Sequence, residues 1–124
     1  MPEVSYQKIL NYVLPTLPDN WTKLIVYAAF MEDTCDLKYF VRNNTNQYFD
    51  CFQFVSDYDK LLSILACIYK ETAIIRDQLS AKDRWSIMTL CVNADGFFQA
   101  YYDYSDNSES SEAQFDKWKK RHLN

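Results

Sequence analysis

Residues 24–30 (LIVYAAF) are apolar at every position, and this run limits the possible folds more than any other part of the chain. The side chains of a β-strand alternate between two faces, so a strand with this sequence has no face that is suited to water. Such a strand is covered on both sides. The sequence therefore predicts a central strand over residues 21–31.

The remaining elements are predicted from hydrophobic periods of 3.6 residues for a helix and two for a strand. In chain order, we predict a helix over 4–17, strands over 21–31, 37–42 and 47–55, a helix over 56–79, strands over 85–92 and 97–104, and a closing helix from 111. The fold class is α+β, with helices packed on an antiparallel sheet in the order α-β-β-β-α-β-β-α. A length of 124 residues suits a single domain over 1–124.

Local signals support several of these boundaries. The polar run 43–46 (NNTN) tolerates left-handed backbone and predicts a turn between two strands. Ser56 followed by Asp59 is typical of a helix N-cap, as is Ser111 followed by Gln114. Gly96, the only glycine, follows Asp95 and predicts a hairpin between the last two strands.

The charge balance bears on the kind of partner. Thirteen Lys and Arg against seventeen Asp and Glu give a net charge of −4, which disfavours direct binding to nucleic acid or to an anionic membrane. The start of the chain shows no charged leader followed by an apolar run, and no segment approaches about 18 apolar residues. We expect a soluble, cytoplasmic protein that binds a basic partner.

Enzymatic signatures are missing from the sequence. Cys35, Cys51, Cys67 and Cys91 form no CxxC pair, so we expect reduced buried thiols and neither a metal nor a cofactor. His122, the only histidine, stands among basic residues near the end of the chain, where a solvated helix end is the favoured interpretation. Without a nucleophile and base, a metal site or a phosphate-binding loop, the chain is not predicted to be an enzyme.

Residues 85–116 combine carboxylates with large aromatic side chains and contain no Lys or Arg. Aromatic area and negative charge suit the binding of a basic protein. The predicted partner-binding residues are Tyr101, Asp103, Tyr104, Asp106, Glu109 and Glu112. In the alternative interpretation Phe98, Ala100, Tyr102 and Tyr104 face the core, while Tyr101 and Asp103 merely face water.

The basic residues at 117–121 come directly after this acidic segment. They could indicate nucleic-acid binding, but basic side chains that end a helix also stabilise the negative end of its dipole. The acidity of the whole chain favours the dipole interpretation.

The order of several short motifs resembles a known family. Tyr6-Gln7-Lys8-Ile9 precedes Leu17-Pro18-Asp19-Asn20-Trp21, and Trp85 opens a later strand. Asp95-Gly96-Phe97, Tyr102-Asp103-Tyr104 and Phe115-Asp116-Lys117-Trp118 then occur in the same order as in that family. Over nearly its whole length the chain is similar to the YezG-like immunity (antitoxin) proteins. It departs from them in being less acidic and in ending without the usual glycine.

The resemblance implies a small cytoplasmic protein that neutralises a cognate toxin domain, often a nuclease, delivered between competing bacteria or made by the cell itself. It carries over no catalytic residue. A type III secretion chaperone, which binds an extended effector segment as a dimer, is the alternative, because such chaperones are also small and acidic. An enzyme would need a deep pocket lined by converging polar groups. The sequence leaves open whether the protein is a monomer or a homodimer.

Overall fold

The computed structural model describes residues 2–30, 35–104 and 111–123. Within these ranges, five strands and four helices succeed one another. Their bounds are α1 Pro2–Val13, β1 Trp21–Phe30, β2 Cys35–Asn43, β3 Tyr48–Asp50, α2 Cys51–Phe54, α3 Tyr58–Asp77, β4 Ile87–Asn93, β5 Phe98–Asp103 and α4 Ser111–His122. The predicted α+β class is confirmed, and the order agrees except for the added short helix α2.

The strands form one antiparallel sheet in the order β3-β2-β1-β4-β5. β1 lies at its centre, as predicted, and pairs with β2 on one side and with β4 on the other. Residues 24–30 of this strand are all buried. β3 and β5 are therefore the two edges of the sheet.

Each face of the sheet is covered by different helices. Leu24, Val26 and Ala28 point to the face where α1 and the buried stripe of α3 pack. Ile25, Tyr27 and Ala29 point to the opposite face, which α4 covers. The uninterrupted apolar sequence of β1 thus reflects the presence of helices on both of its sides.

α4 is held to its face of the sheet by Trp118. This side chain is fully buried, its ring lies 4.5 Å from that of Tyr27, and its Nε1 donates a hydrogen bond of 2.7 Å to the hydroxyl of Thr89 on β4. A buried indole N–H needs such an acceptor, because an unmet donor away from water is costly. One side chain therefore joins α4 to β1 and to β4.

The predicted third strand over 47–55 is wrong in its second half. β3 ends at Asp50, and α2 begins at the next residue. Asp50 accepts a hydrogen bond from the N–H of Gln53, and the Gln53 side chain accepts one from the N–H of Asp50. This capping box gives acceptors to the N–H groups of Asp50 and Gln53 at the start of α2, which favours a helix over a continued strand.

The other predicted boundaries shift by small amounts. α1 ends at Val13, and a 3-10 turn over Leu14–Thr16 carries Pro15 where a regular helix was expected. The N-cap of α3 is Asp57 rather than Ser56, because the Asp57 carboxylate accepts from the N–H of Lys60. The Asn-rich turn is confirmed, with Asn46 at a φ of 63°. Within the described ranges, no helix has the length and apolar character needed to cross a membrane.

Candidate partner-binding surface

β4 and β5 form a hairpin whose turn contains the only glycine. Gly96 has a φ of 99°, which glycine adopts without steric cost, and its N–H donates to the Asn93 carbonyl at 2.9 Å. The N–H of Asn93 donates to the Phe97 carbonyl at 2.8 Å. The N–H of Ala94 donates to the Thr22 carbonyl at 2.9 Å, which ties the turn to β1. The predicted hairpin is confirmed. It pairs β5 with β4 along the whole of β5.

Exposed aromatic side chains cluster along β5 and at both of its ends. The members of this group, called here the β5 aromatic surface, are Phe97, Phe98, Tyr101, Tyr102 and Tyr104. The interpretation that placed Tyr104 in the core is wrong, since β5 ends one residue earlier and Tyr104 is 61% exposed. Phe98 and Tyr102 do point towards α1 and α3, but no strand of the described residues shields their outer flank.

On the α4 side of the sheet, β5 contacts the end of α4. The two terminal guanidinium nitrogens of Arg121, Nη1 and Nη2, donate to the Asp103 carboxylate at 3.3 and 3.2 Å. The ring of Tyr101 lies 5.9 Å from that of His122, which in turn lies 5.3 Å from Trp118. Sequence reasoning missed the Arg121–Asp103 pair, because the two residues belong to different elements.

His122 is not the solvated helix end that its position suggested. Its ring is half-buried between Tyr101 and Trp118. Burial, followed by the positive charge of Arg121, lowers the pKa of His122 below its ordinary value. The neutral imidazole thus serves as part of the packing between α4 and β5.

On the opposite face, β5 borders two grooves. Phe98 lies 5.6 Å from the ring of Tyr6, beside a groove of about 400 Å³ between α1 and the hairpin. Tyr102 lies 5.9 Å from the ring of Trp85, beside a second groove of about 320 Å³ that Tyr104 also lines. Burial raises the pKa of the Tyr102 phenol, so it stays protonated at neutral pH.

Two buried polar atoms among the groove-lining residues are unsatisfied. The hydroxyl of Tyr6 and the Nε1 of Trp85 have no hydrogen-bond partner within the described part of the chain. Tyr6 lines both grooves and Trp85 lines the second. A polar atom that is buried without a hydrogen-bond partner costs the fold free energy.

The structure brings together only part of the predicted binding residues. Tyr101, Asp103 and Tyr104 lie on β5 or directly after it. Asp106 and Glu109 lie outside the described residues. Of the predicted binding residues, the structure therefore groups only Tyr101, Asp103 and Tyr104 in one segment.

Glu112 lies apart from the other described candidates. It is exposed in the first turn of α4, shortly before Phe115, whose ring stacks on Phe40 of β2. Arg121, which contacts Asp103, comes nine residues later, a distance of about 14 Å along a helix. Glu112 therefore faces a different part of the surface from Tyr101.

The cysteines have the surroundings of structural thiols. All four are free; Cys51 is buried and the other three are half-buried. Burial raises the pKa of the Cys35 thiol to about 12 and also raises the pKa values of Cys51 and Cys91, which disfavours the reactive thiolate. Within the described ranges, no group of three or more His, Cys, Asp or Glu side chains could hold a metal ion.

Comparison with known proteins now adds to this geometry. The chain is 28% identical over 108 residues to the immunity protein YezG of Bacillus subtilis (strain 168). The aligned stretch covers 82% of this chain and 72% of the relative. The family model described as "Immunity protein YezG-like" matches residues 3–124. Since that match spans nearly the whole sequence, the chain belongs to the YezG-like family of immunity proteins.

Proposed function

We propose that this protein binds a cognate bacterial toxin domain, a basic nuclease, in the cytoplasm and neutralises it by covering its active or substrate-binding surface. Membership in the immunity family supports the antitoxin role. The observation that carries the choice of surface is the β5 aromatic surface, where five large side chains of one short segment are exposed together. A concentration of exposed apolar side chains along one segment is typical of interaction sites.

Inhibition by this surface is steric and electrostatic and requires no chemical step. Tyr101 and Tyr104 offer stiff, broad rings with a polar tip, and such residues anchor protein interfaces at about 2 kcal/mol each. They would mainly slow dissociation. The carboxylates on and after β5 would mainly speed association with a positively charged nuclease.

The carboxylates contribute unequally to this steering. Asp103 already faces Arg121, so its charge is partly compensated within the chain, although its side chain remains 31% exposed. Asp106 and Glu109 supply the rest of the negative charge that we assign to the binding surface, whereas Glu112 lies apart from it. The ion pair also fixes the end of β5 against α4, which keeps Tyr101 in place.

Growth rescue tests the proposed function. The C-terminal domain encoded in the reading frame next to this gene is expressed alone and with this chain, and we expect rescue only with the chain. Asp103→Asn together with Asp106→Asn should weaken rescue, because two carboxylates that draw in a basic partner are removed. The matched control is Asp59→Asn with Asp77→Asn, which removes two exposed carboxylates of α3 that line neither groove.

The outcomes separate the role from the surface. Absence of rescue by the parent chain would contradict the toxin partner proposed here. Full rescue by the Asp103→Asn, Asp106→Asn variant at limiting expression would contradict the assignment of these carboxylates. The family membership favours this role over that of a type III secretion chaperone.

A further inference from the structure

No strand among the described residues pairs with the outer side of β5. In an antiparallel pair, successive residues point their N–H and C=O groups alternately towards and away from the partner strand. The Phe97 and Asp103 carbonyls accept bonds from the β4 side, from the N–H groups of Asn93 and Ser86. By alternation, the backbone N–H and C=O groups of Gln99 and Tyr101 also point towards β4. The backbone groups of Phe98, Ala100 and Tyr102 therefore point outward.

Nothing in the β5 sequence protects this outer side. Proteins blunt sheet edges with lysine, proline, bulges or very short strands. Residues 98–103 (FQAYYD) contain neither lysine nor proline, and the pairing with β4 runs without a shift from Val92–Phe98 to Ile87–Asp103. An edge of this length and composition is suited to accept another strand.

Both grooves lie on the face of the sheet towards which alternate side chains of an added strand would point. A residue paired with Phe98 or Tyr102 shares their face of the sheet, the one with the two grooves. There it would meet the largely apolar walls of the grooves. Backbone pairing with side-chain pockets on alternate residues is the usual arrangement in strand addition.

We propose that an extended segment of the toxin pairs with β5 as a sixth strand of the sheet and places alternate side chains in the two flanking grooves. This inference rests on the proposed function and specifies how the partner is held. Charge favours a basic toxin over a second copy of this chain. The hairpin carries the exposed Asp95, the half-buried Asp103 and no basic residue, so a second copy would set two acidic hairpins side by side.

Amide hydrogen exchange measures the pairing directly. The probe is the C-terminal domain encoded in the neighbouring reading frame, purified and added to this chain. We expect the outward amides of Phe98, Ala100 and Tyr102 to exchange more slowly in the complex, by roughly tenfold or more. The inward amides of Gln99 and Tyr101, already paired with β4, serve as an internal control and should change far less.

A proline substitution tests the same contact by mutation. Ala100→Pro deletes one outward N–H and leaves the β4 ladder intact, because proline is tolerated on sheet edges when its nitrogen faces away from the partner strand. We expect affinity for the same domain to fall by about tenfold, as for the loss of one interfacial hydrogen bond. Ala100→Ser keeps the N–H and should bind like the parent.

Each result bears on a different claim. If the parent chain does not bind the domain, the proposed function and this inference both fail. If the parent binds but the three outward amides exchange unchanged, the strand-addition inference alone is overturned, whether or not Ala100→Pro folds. Protection of these amides in the isolated chain that rises with its own concentration would assign the edge to a second copy and would also overturn it.

Discussion

The sheet ends at β3 on one side and at β5 on the other, and the two strands differ in length and in how neighbouring elements cover them. β3 has three residues and is half-buried, and the capped helix α2 begins immediately after it. β5 has six residues, most of them exposed, and α4 supports it from one face only. The β3 edge is followed at once by a capped helix, whereas no other described strand pairs with the outer side of β5.

This difference shows how the chain separates stability from binding. An open edge invites aggregation, so a protein keeps one only where a partner covers it or where charge discourages unwanted pairing. The acidic residues at both ends of β5 act against self-association, while its aromatic side chains remain available to a partner. The β3 edge has only three residues and needs no such charges against self-association.

Trp118→Ala should have the largest effect, because Trp118 anchors α4, the helix that contacts the end of β5 through Arg121 and His122. The change removes a fully buried indole and leaves the Thr89 hydroxyl without its donor. We expect the free energy of unfolding to fall by about 3–5 kcal/mol in chemical denaturation. Trp118→Phe keeps a ring and loses the hydrogen bond, so it should cost clearly less. A loss below about 1 kcal/mol for Trp118→Ala would contradict the role of α4 as the support of this face.

Asp50→Ala should have an intermediate effect at the β3 edge. It removes the carboxylate that accepts from the N–H of Gln53, and loss of such a cap costs about 1 kcal/mol of unfolding free energy. Asp50→Asn keeps an acceptor and should remain close to the parent. Toxin affinity should be unchanged in both variants, and a weakened complex would show that the β3 edge takes part in binding.

The pH dependence of stability should show the smallest effect, at the contact between α4 and β5. The pKa of His122 is lowered in the folded chain, so the unfolded chain takes up a proton at higher pH. Stability is therefore full above the ordinary value of 6.5 and is lost as the pH falls through the lower folded pKa. The melting temperature of His122→Gln should drop less than that of the parent between pH 8 and pH 5. Identical drops would contradict this.

The sequence predicts those features that depend on local pattern. An apolar run of seven residues identified β1 as central, because no surface position suits such a strand. The Asp95-Gly96 pair located the hairpin, because glycine readily supplies the positive φ found there. The buried stripe of α3 reflects its helical period, with Leu61, Ile68 and Ile75 as expected.

Features that depend on contacts between distant segments could not be predicted in this way. The four residues of α2 are too few to show a helical period, and only the Asp50–Gln53 pair marks the helix. That β5 is an edge results from the pairing of β4 with β1, which no local pattern encodes. The Arg121–Asp103 pair arises only when α4 packs across the sheet.

The most direct test of the account is the dissociation constant of the neighbouring-frame toxin domain for two matched double variants. Tyr101→Ala with Tyr104→Ala removes rings that are 43% and 61% exposed at β5, and Phe52→Ala with Tyr58→Ala removes rings that are 45% and 60% exposed near the β3 edge. We predict that the first pair weakens binding by at least about 30-fold and that the second leaves it unchanged. Equal affinity for both variants, or a loss confined to the second, would contradict the claim that the β5 side of the sheet holds the toxin.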